Sequence, residues 1–235
     1  LIQKQADGFP KDMPLLGWSM TKTVNAMIFY KRANEKGFDP NTLVINAFPK
    51  DREPAWVEQW RNDAQKSKMT VNDMLGMKSG LDFEDDYGPT AKVVQMLYGE
   101  PSMADYAASQ PMAADPGTTF AYSTGVADII SQVTQGMFPN DQDYWAYWNK
   151  EVFGPIGMKS GTFASDTSGT WVGGSYIYAS TGDWARLGEL MLNDGAWNSK
   201  QVAPQGWWKF AGTPSLPTGE GNGYGAQTWI PAQPK

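Results

Sequence analysis

The polarity of the chain changes along the stretch Ser19 to Lys36. Its first half is apolar nearly all round, through Met20, Val24, Ala26, Met27, Ile28 and Phe29. Its second half turns polar at Lys31, Arg32, Asn34, Glu35 and Lys36, before Gly37. That pattern predicts a helix that starts buried, ends at the surface and is closed by glycine. Thr70 followed by Asp73 predicts a capped short helix through Lys78, stopped at Ser79 and Gly80. Further helices are predicted at about Ala91 to Tyr98, Met103 to Ser109, Ser123 to Gln135, Asp141 to Phe153 and Asp183 to Leu192, between Pro and Gly breaks.

Strand signals are sparse: Gly161 to Phe163, Gly174 to Ala179 and Ala226 to Ile230. A mixed α/β chain of 235 residues should carry more strand than this, so part of a sheet is expected to lie outside the sequence. No internal repeat or low-complexity tract interrupts the pattern.

A hydrophobic content of 41% supports a sizeable core. No stretch approaches the roughly 20 apolar residues that span a bilayer, and the opening LIQKQADGFP lacks the basic start and apolar run of a signal peptide. Periplasmic, secreted and cytoplasmic locations are all compatible with that. Nineteen basic residues against 25 acidic ones, with no basic cluster, argue against nucleic acid or an anionic membrane as partner. The 11 Trp are read as core and cleft packing rather than as a stacking surface.

Two zeros narrow the chemistry. Without Cys there is no disulfide, thiolate nucleophile or Cys-ligated zinc, and without His no Ser-His-Asp triad or imidazole metal site can be assembled. Proton transfer would have to use Lys, Tyr, Asp or Glu.

Ser19-Met20-Thr21-Lys22 is an S-x-x-K motif. Residues three apart share a helix face, so the hydroxyl and the amine can meet. The serine's own N–H, in the first turn, stands at the positive end of the helix dipole, where it can receive an oxyanion. Burial disfavours the ammonium form and makes Lys22 a proton acceptor for Ser19. Chance supplies about one such pair in a chain of this composition, and a capping serine with a lysine one turn later is the competing reading. The apolar setting of Lys22, among Trp18, Met20, Val24 and Met27, favours the chemical one. Tyr122-Ser123-Thr124 follows the turn Asp115-Pro116-Gly117 and places a tyrosine at the start of a helix, where it could relay protons between Ser19 and a leaving group.

With these motifs stand the segments Leu16 to Thr23, Met74 to Asp82, Asp85-Asp86-Tyr87-Gly88, Pro116 to Gly125, Phe153 to Met158, Gly174 to Ala179 and Asp183 to Gly188. Together, and in this order, they resemble the serine β-lactamase and penicillin-binding-protein superfamily, closest to its 6-aminohexanoate-dimer hydrolase and β-lactamase-like carboxylesterase branch. The resemblance implies an α/β (α+β) fold: an antiparallel sheet flanked by helices, with a mostly helical subdomain at about 38–170 and the active site in the cleft between them. It implies acyl transfer at an ester or amide carbonyl, with Ser19 as nucleophile, Lys22 and Tyr122 handling protons, and no metal or cofactor. Trp18, Tyr87, Trp171, Gly174, Ser175 and Tyr176 are then expected to wall the cleft.

Thr124 stands where much of the superfamily has an amide side chain that contacts substrate, which argues against efficient β-lactam hydrolysis. The superfamily's third motif, a Lys-Thr-Gly or His-x-Gly-like strand, is expected beyond Trp229. Residues 1–235 are therefore expected to be a single catalytic domain that is incomplete at both ends. Two rivals remain: an acylation-only or non-catalytic sensor on the same fold, and a Ca²⁺ or Mg²⁺ site at Asp82, Glu84, Asp85 and Asp86, against which a solvated loop is favoured.

Overall fold

The computed structural model describes residues 4–83, 85–218 and 223–232. In chain order its elements are strand β1 (Leu15–Leu16) and helices α1 (Met20–Lys36), α2 (Ala55–Arg61), α3 (Val71–Leu75), α4 (Lys92–Gly99), α5 (Met103–Ser109), α6 (Thr124–Gly136) and α7 (Asp141–Trp148). Strands β2 (Thr162–Phe163) and β3 (Ile177–Ala179) follow, then α8 (Thr181–Leu192), β4 (Ala196–Trp197), β5 (Lys200–Gln201), α9 (Trp207–Ala211), β6 (Gly223–Tyr224) and β7 (Trp229–Ile230). The fold is mixed α/β, mostly helical with small antiparallel sheets. Among the described residues between 38 and 170 lie α2 to α7, three short 3₁₀ turns, a π-turn and strand β2.

The predicted helices form where apolar spacing and caps coincide. Gly37, at φ 65°, closes α1 and returns its N–H to Ala33 and Asn34. Thr70 and Asp73 make the expected reciprocal cap on α3. That helix stops at Leu75 instead of reaching Lys78, because the chain turns at Gly76 and Met77 takes φ 52°. The helix predicted through Phe153 is α-helical only to Trp148 and continues as a wider π-turn over Asn149–Phe153. Elements that the sequence did not predict are short. β1, α2, α9 and the β4–β5 hairpin run for two to seven residues, too little for a period to show.

Helix α6 is the centre of the molecule. Nearly all of it is buried, with α1 and α5 packed on its sides. Its buried Ser131 and Thr134 donate to the carbonyls of Ala127 and Ile130 one turn back, so they enter the core with their hydrogen bonds made. Much of the Trp content packs the interior, as expected: Trp148 and Trp171 meet edge-to-face at 4.4 Å with Phe163 against both.

The largest sheet has the order β1-β3-β2, all antiparallel. Leu15 pairs with Ala179 and Phe163 with Ile177 across the central strand β3. Two predicted strands are shorter than expected for a shared reason. Residues 174–176 form a tight turn, with the Ser175 and Tyr176 amides donating to Val172, and Gln227 turns the chain at φ 55° between β6 and β7. Among the described residues no helix is long and apolar enough to cross a membrane.

Candidate active site

The sheet and α6 together position Ser19. The Gly17 amide donates to the Ile177 carbonyl at 2.7 Å, and the Ile177 amide donates to the Thr21 hydroxyl at 3.2 Å, so the start of α1 is tied on both sides of the serine to strand β3. The approach is tight. A Cβ on Gly17 would lie 2.2 Å from the Trp184 ring, and Trp18 takes a left-handed φ of 46° immediately before Ser19. Ser19 caps no helix amide with its side chain, which removes the capping reading of the motif. Its hydroxyl faces Lys22 instead, with Nζ at 3.1 Å.

Lys22 is 1% exposed. Trp18 and Met20, expected to help bury it, are about half exposed, and the cover comes from α6 and the turn at Gly174. Nζ donates to Thr124 Oγ1 at 2.8 Å and to the Gly174 carbonyl at 2.9 Å, and it stands 4.9 Å from the centre of the Tyr122 ring. Burial pushes its pKa down from 10.5 to about 8, against the pull of Asp85 and Asp128 toward the charged form.

Two carboxylates that the sequence did not place beside Ser19 complete this network. Asp85 sits at the N-terminus of α6, where the helix dipole favours an anion. One of its oxygens accepts the Thr124 amide at 2.8 Å and the other accepts the Thr124 hydroxyl in a short contact. Asp128, 1% exposed on α6, accepts the Gly174 amide at 2.9 Å, and burial pushes its pKa up to about 8. Asp128 does carry a signal in the sequence, a lone acid inside the apolar run Val126 to Val133. Asp85 lies in an acidic run that gives no indication of which member turns inward.

Tyr122 leads into α6 from a segment held to residue 77, whose carbonyl accepts the Ala121 amide at 2.8 Å. Its ring stacks on Trp229 at 5.4 Å and meets Tyr224 edge-on at 5.7 Å. Burial pushes its phenol up to about 12, while a hydrogen bond with Ser19 works the other way, so the group keeps its proton at neutral pH.

The remaining predicted positions divide. Thr124 and Gly174 are in direct contact with Lys22. Trp18 and Tyr87 are exposed at the surface, and the half-buried Tyr176 meets Trp18 edge-on at 6.5 Å. Trp171 is not on a cleft wall. Its ring is 0% exposed against Trp148, and its indole N–H donates to the Tyr176 carbonyl. Ser175 is buried in the turn below.

The acidic loop is committed elsewhere. Asp82 pairs with Lys92 at 2.7 Å, Asp85 holds Thr124, and Asp86 accepts the Gly88 amide; Glu84 lies outside the described residues. Among the described residues no three acidic groups stand together to hold a metal ion.

Solved structures share this fold. A Bacillus anthracis protein designated a 6-aminohexanoate-dimer hydrolase is similar at TM-score 0.75 and 18% identity, over 98% of this chain and 62% of its own. A penicillin binding protein from Bacillus halodurans is similar at TM-score 0.69 and 14% identity, over 98% of this chain and 74% of its own. EstCE1, described as a hydrolase with promiscuous acyltransferase activity, is similar at TM-score 0.66 and 12% identity, over 96% of this chain and 71% of its own. The chain thus spans about six-tenths of the length of the first of them. No curated protein sequence matches it. The profile of one family, Beta-lactamase, matches residues 7–234, nearly the entire sequence, and the chain belongs to the beta-lactamase family.

Proposed function

We propose that the protein is a serine hydrolase that cleaves an ester or amide carbonyl through an acyl-enzyme, with Ser19 as nucleophile, Lys22 as base and Tyr122 as proton shuttle. The observation that carries this reading is the 3.1 Å contact between Ser19 Oγ and the buried Lys22 Nζ. A neutral amine has two N–H groups and one lone pair. Gly174 and Thr124 take the two N–H groups, which leaves the lone pair for the Ser19 proton. With a pKa near 8, roughly one-tenth of Lys22 is neutral at pH 7.

In the forward step Ser19 Oγ bonds to the substrate carbonyl carbon while its proton passes to Lys22. The oxyanion meets the Ser19 amide in the first turn of α1. Collapse breaks the bond to the alcohol or amine, which leaves with a proton from the Tyr122 hydroxyl, itself reprotonated from Lys22. Water then repeats the sequence on the acyl-Ser19 ester and releases the acid. The names carried by the structural relatives, a dimer hydrolase and a hydrolase with promiscuous acyltransferase activity, agree with this reaction class.

The test is acyl trapping. The protein is mixed with a nitrophenyl acyl ester, quenched in acid and digested, and the Ser19 peptide is weighed. An acyl mass on that peptide together with steady release of nitrophenol is expected. Acyl mass without turnover would make the protein an acylation-only sensor, and no acyl mass at Ser19 would end both readings. Parallel assays on a short-chain ester, a linear amide, a D-amino-acid peptide and a β-lactam assign the substrate class.

A further inference from the structure

Besides Ser19 itself, Lys22 contacts two acceptors, and of these only Thr124 has a polarity that its own chemistry does not fix. The Gly174 carbonyl can only accept. A threonine hydroxyl can either accept from the amine or donate to its lone pair, and in the second state it would compete with Ser19 for that lone pair. In this structure the hydroxyl proton is committed elsewhere: Thr124 Oγ1 donates to Asp85, whose other oxygen accepts the Thr124 amide at 2.8 Å. The two bonds hold the carboxylate across the first turn of α6, so the hydroxyl faces Lys22 as an acceptor at 2.8 Å.

We infer that Asp85 is a positioning residue for the proposed reaction: by fixing the Thr124 hydroxyl as an acceptor, it turns the lone pair of neutral Lys22 toward Ser19. The carboxylate and hydroxyl together do from two residues what a single side-chain carbonyl beside Lys22 would do from one. Asp85 touches neither Ser19 nor the reacting carbonyl in this scheme and acts on Lys22 through Thr124, with the Tyr87 hydroxyl also against Asp85 and Thr124. The inference rests on the serine-hydrolase reading and adds a residue to it.

The charge on Asp85 gives the idea a sign that a simple electrostatic role would not share. The charged and titratable groups facing Lys22 are Asp85 from the segment before α4, Asp128 from α6 and Tyr122 from the loop that leads into α6, and Tyr87 lies against Asp85 and Thr124. Asp85 and Asp128 both favour the ammonium. Removing the Asp85 charge therefore frees more neutral lysine at pH 7. If charge were all that mattered, Asp85→Asn would react faster at that pH. If the lone pair must be aimed, Asp85→Asn reacts more slowly, because the Thr124 amide and hydroxyl bond to two different carboxylate oxygens and asparagine puts an N–H donor in place of one of them.

The experiment measures the rate of covalent labelling of Ser19 by a fluorophosphonate, in the full chain, from pH 6 to pH 10. For Asp85→Asn the expected result is a plateau rate lower on the order of 10-fold to 100-fold, with its acid limb moved to lower pH than in the wild type. Thr124→Ser should keep the rate within about threefold, Thr124→Val should lose as much as Asp85→Asn, and the double variant should lose little more than either one. The Thr124 pair carries the test if Asp85→Asn fails to fold. A wild-type plateau in Asp85→Asn or in Thr124→Val, or additive losses in the double variant, would overturn the role of Asp85 while leaving the hydrolase reading intact. Failure of the wild type to label at Ser19 would overturn the hydrolase reading itself.

Discussion

Asp128 and Gly174 join the core of the molecule to its chemistry: the buried carboxylate on α6 accepts the Gly174 amide at 2.9 Å, and the carbonyl of the same glycine accepts Lys22 at 2.9 Å. The acceptor that holds Lys22 is thus fixed from behind by a group that never touches the lysine. Glycine is required there by space. A Cβ at position 174 would lie 2.5 Å from Thr124 Cγ2 and 2.9 Å from the Thr124 carbonyl.

Gly174→Ala should therefore push the turn away from α6, costing about 1–3 kcal/mol of stability and on the order of tenfold or more in acylation rate. Gly188→Ala serves as the control, since a Cβ there meets nothing within 4 Å in helix α8 and should be neutral or slightly stabilising. Urea unfolding and ester hydrolysis on the two variants check the pair. Equal effects from both would show that the Gly174 position is not special.

Ser19→Ala should abolish turnover. Lys22→Ala and Tyr122→Phe should each cost on the order of 100-fold or more, and the double variant little beyond that, because the three groups act as a unit. Nitrophenyl ester hydrolysis measures all four. Near-normal turnover in Lys22→Ala would refute the proton path.

Burial of Lys22 also has a signature in stability. Its folded pKa of about 8 lies below the ordinary 10.5, so between those values the unfolded chain binds more protons than the folded one, and the lysine's contribution to stability rises with pH. Below about pH 8 the full cost of a buried ammonium is present. Asp128, raised to about 8, works in the opposite direction at lower pH: the folded state holds its proton above the ordinary 3.8, and stability falls as pH climbs toward 8. Above pH 8 the Asp128 effect fades while that of Lys22 continues toward 10.5, so the window from pH 8 to 9.5 is dominated by Lys22. Across it the wild type should gain about 1–2 kcal/mol relative to Lys22→Met in urea unfolding. A constant difference between the two proteins would mean that the folded lysine keeps an ordinary pKa.

The parts of this site that were legible in the sequence are the local ones. Ser19 and Lys22 sit one helical turn apart, so their meeting follows from spacing alone, and the caps at Gly37 and Thr70 are equally local. The ordered segments across the chain carried the fold class, which the family match over residues 7–234 bears out. What could not be read is set by tertiary contact. Asp85 reaches Thr124 across 39 positions and Asp128 reaches Gly174 across 46, and no periodicity joins such residues. Trp171 shows the same limit in reverse: expected on the cleft wall from the family resemblance, it lies buried beside Trp148. Apolar spacing also overstates the strands at 174–179 and 226–230, where backbone turns at Gly174 and Gln227 interrupt the ladder.

The central claim is that Ser19 is a nucleophile made reactive by a neutral Lys22. The pH dependence of fluorophosphonate labelling, with the modified peptide identified by mass, tests it most directly. The account predicts a single adduct on Ser19 whose rate of formation rises with pH through about 8, and no such rise in Lys22→Ala. An adduct at another residue, or a Ser19 labelling rate that does not change across that range, would contradict it.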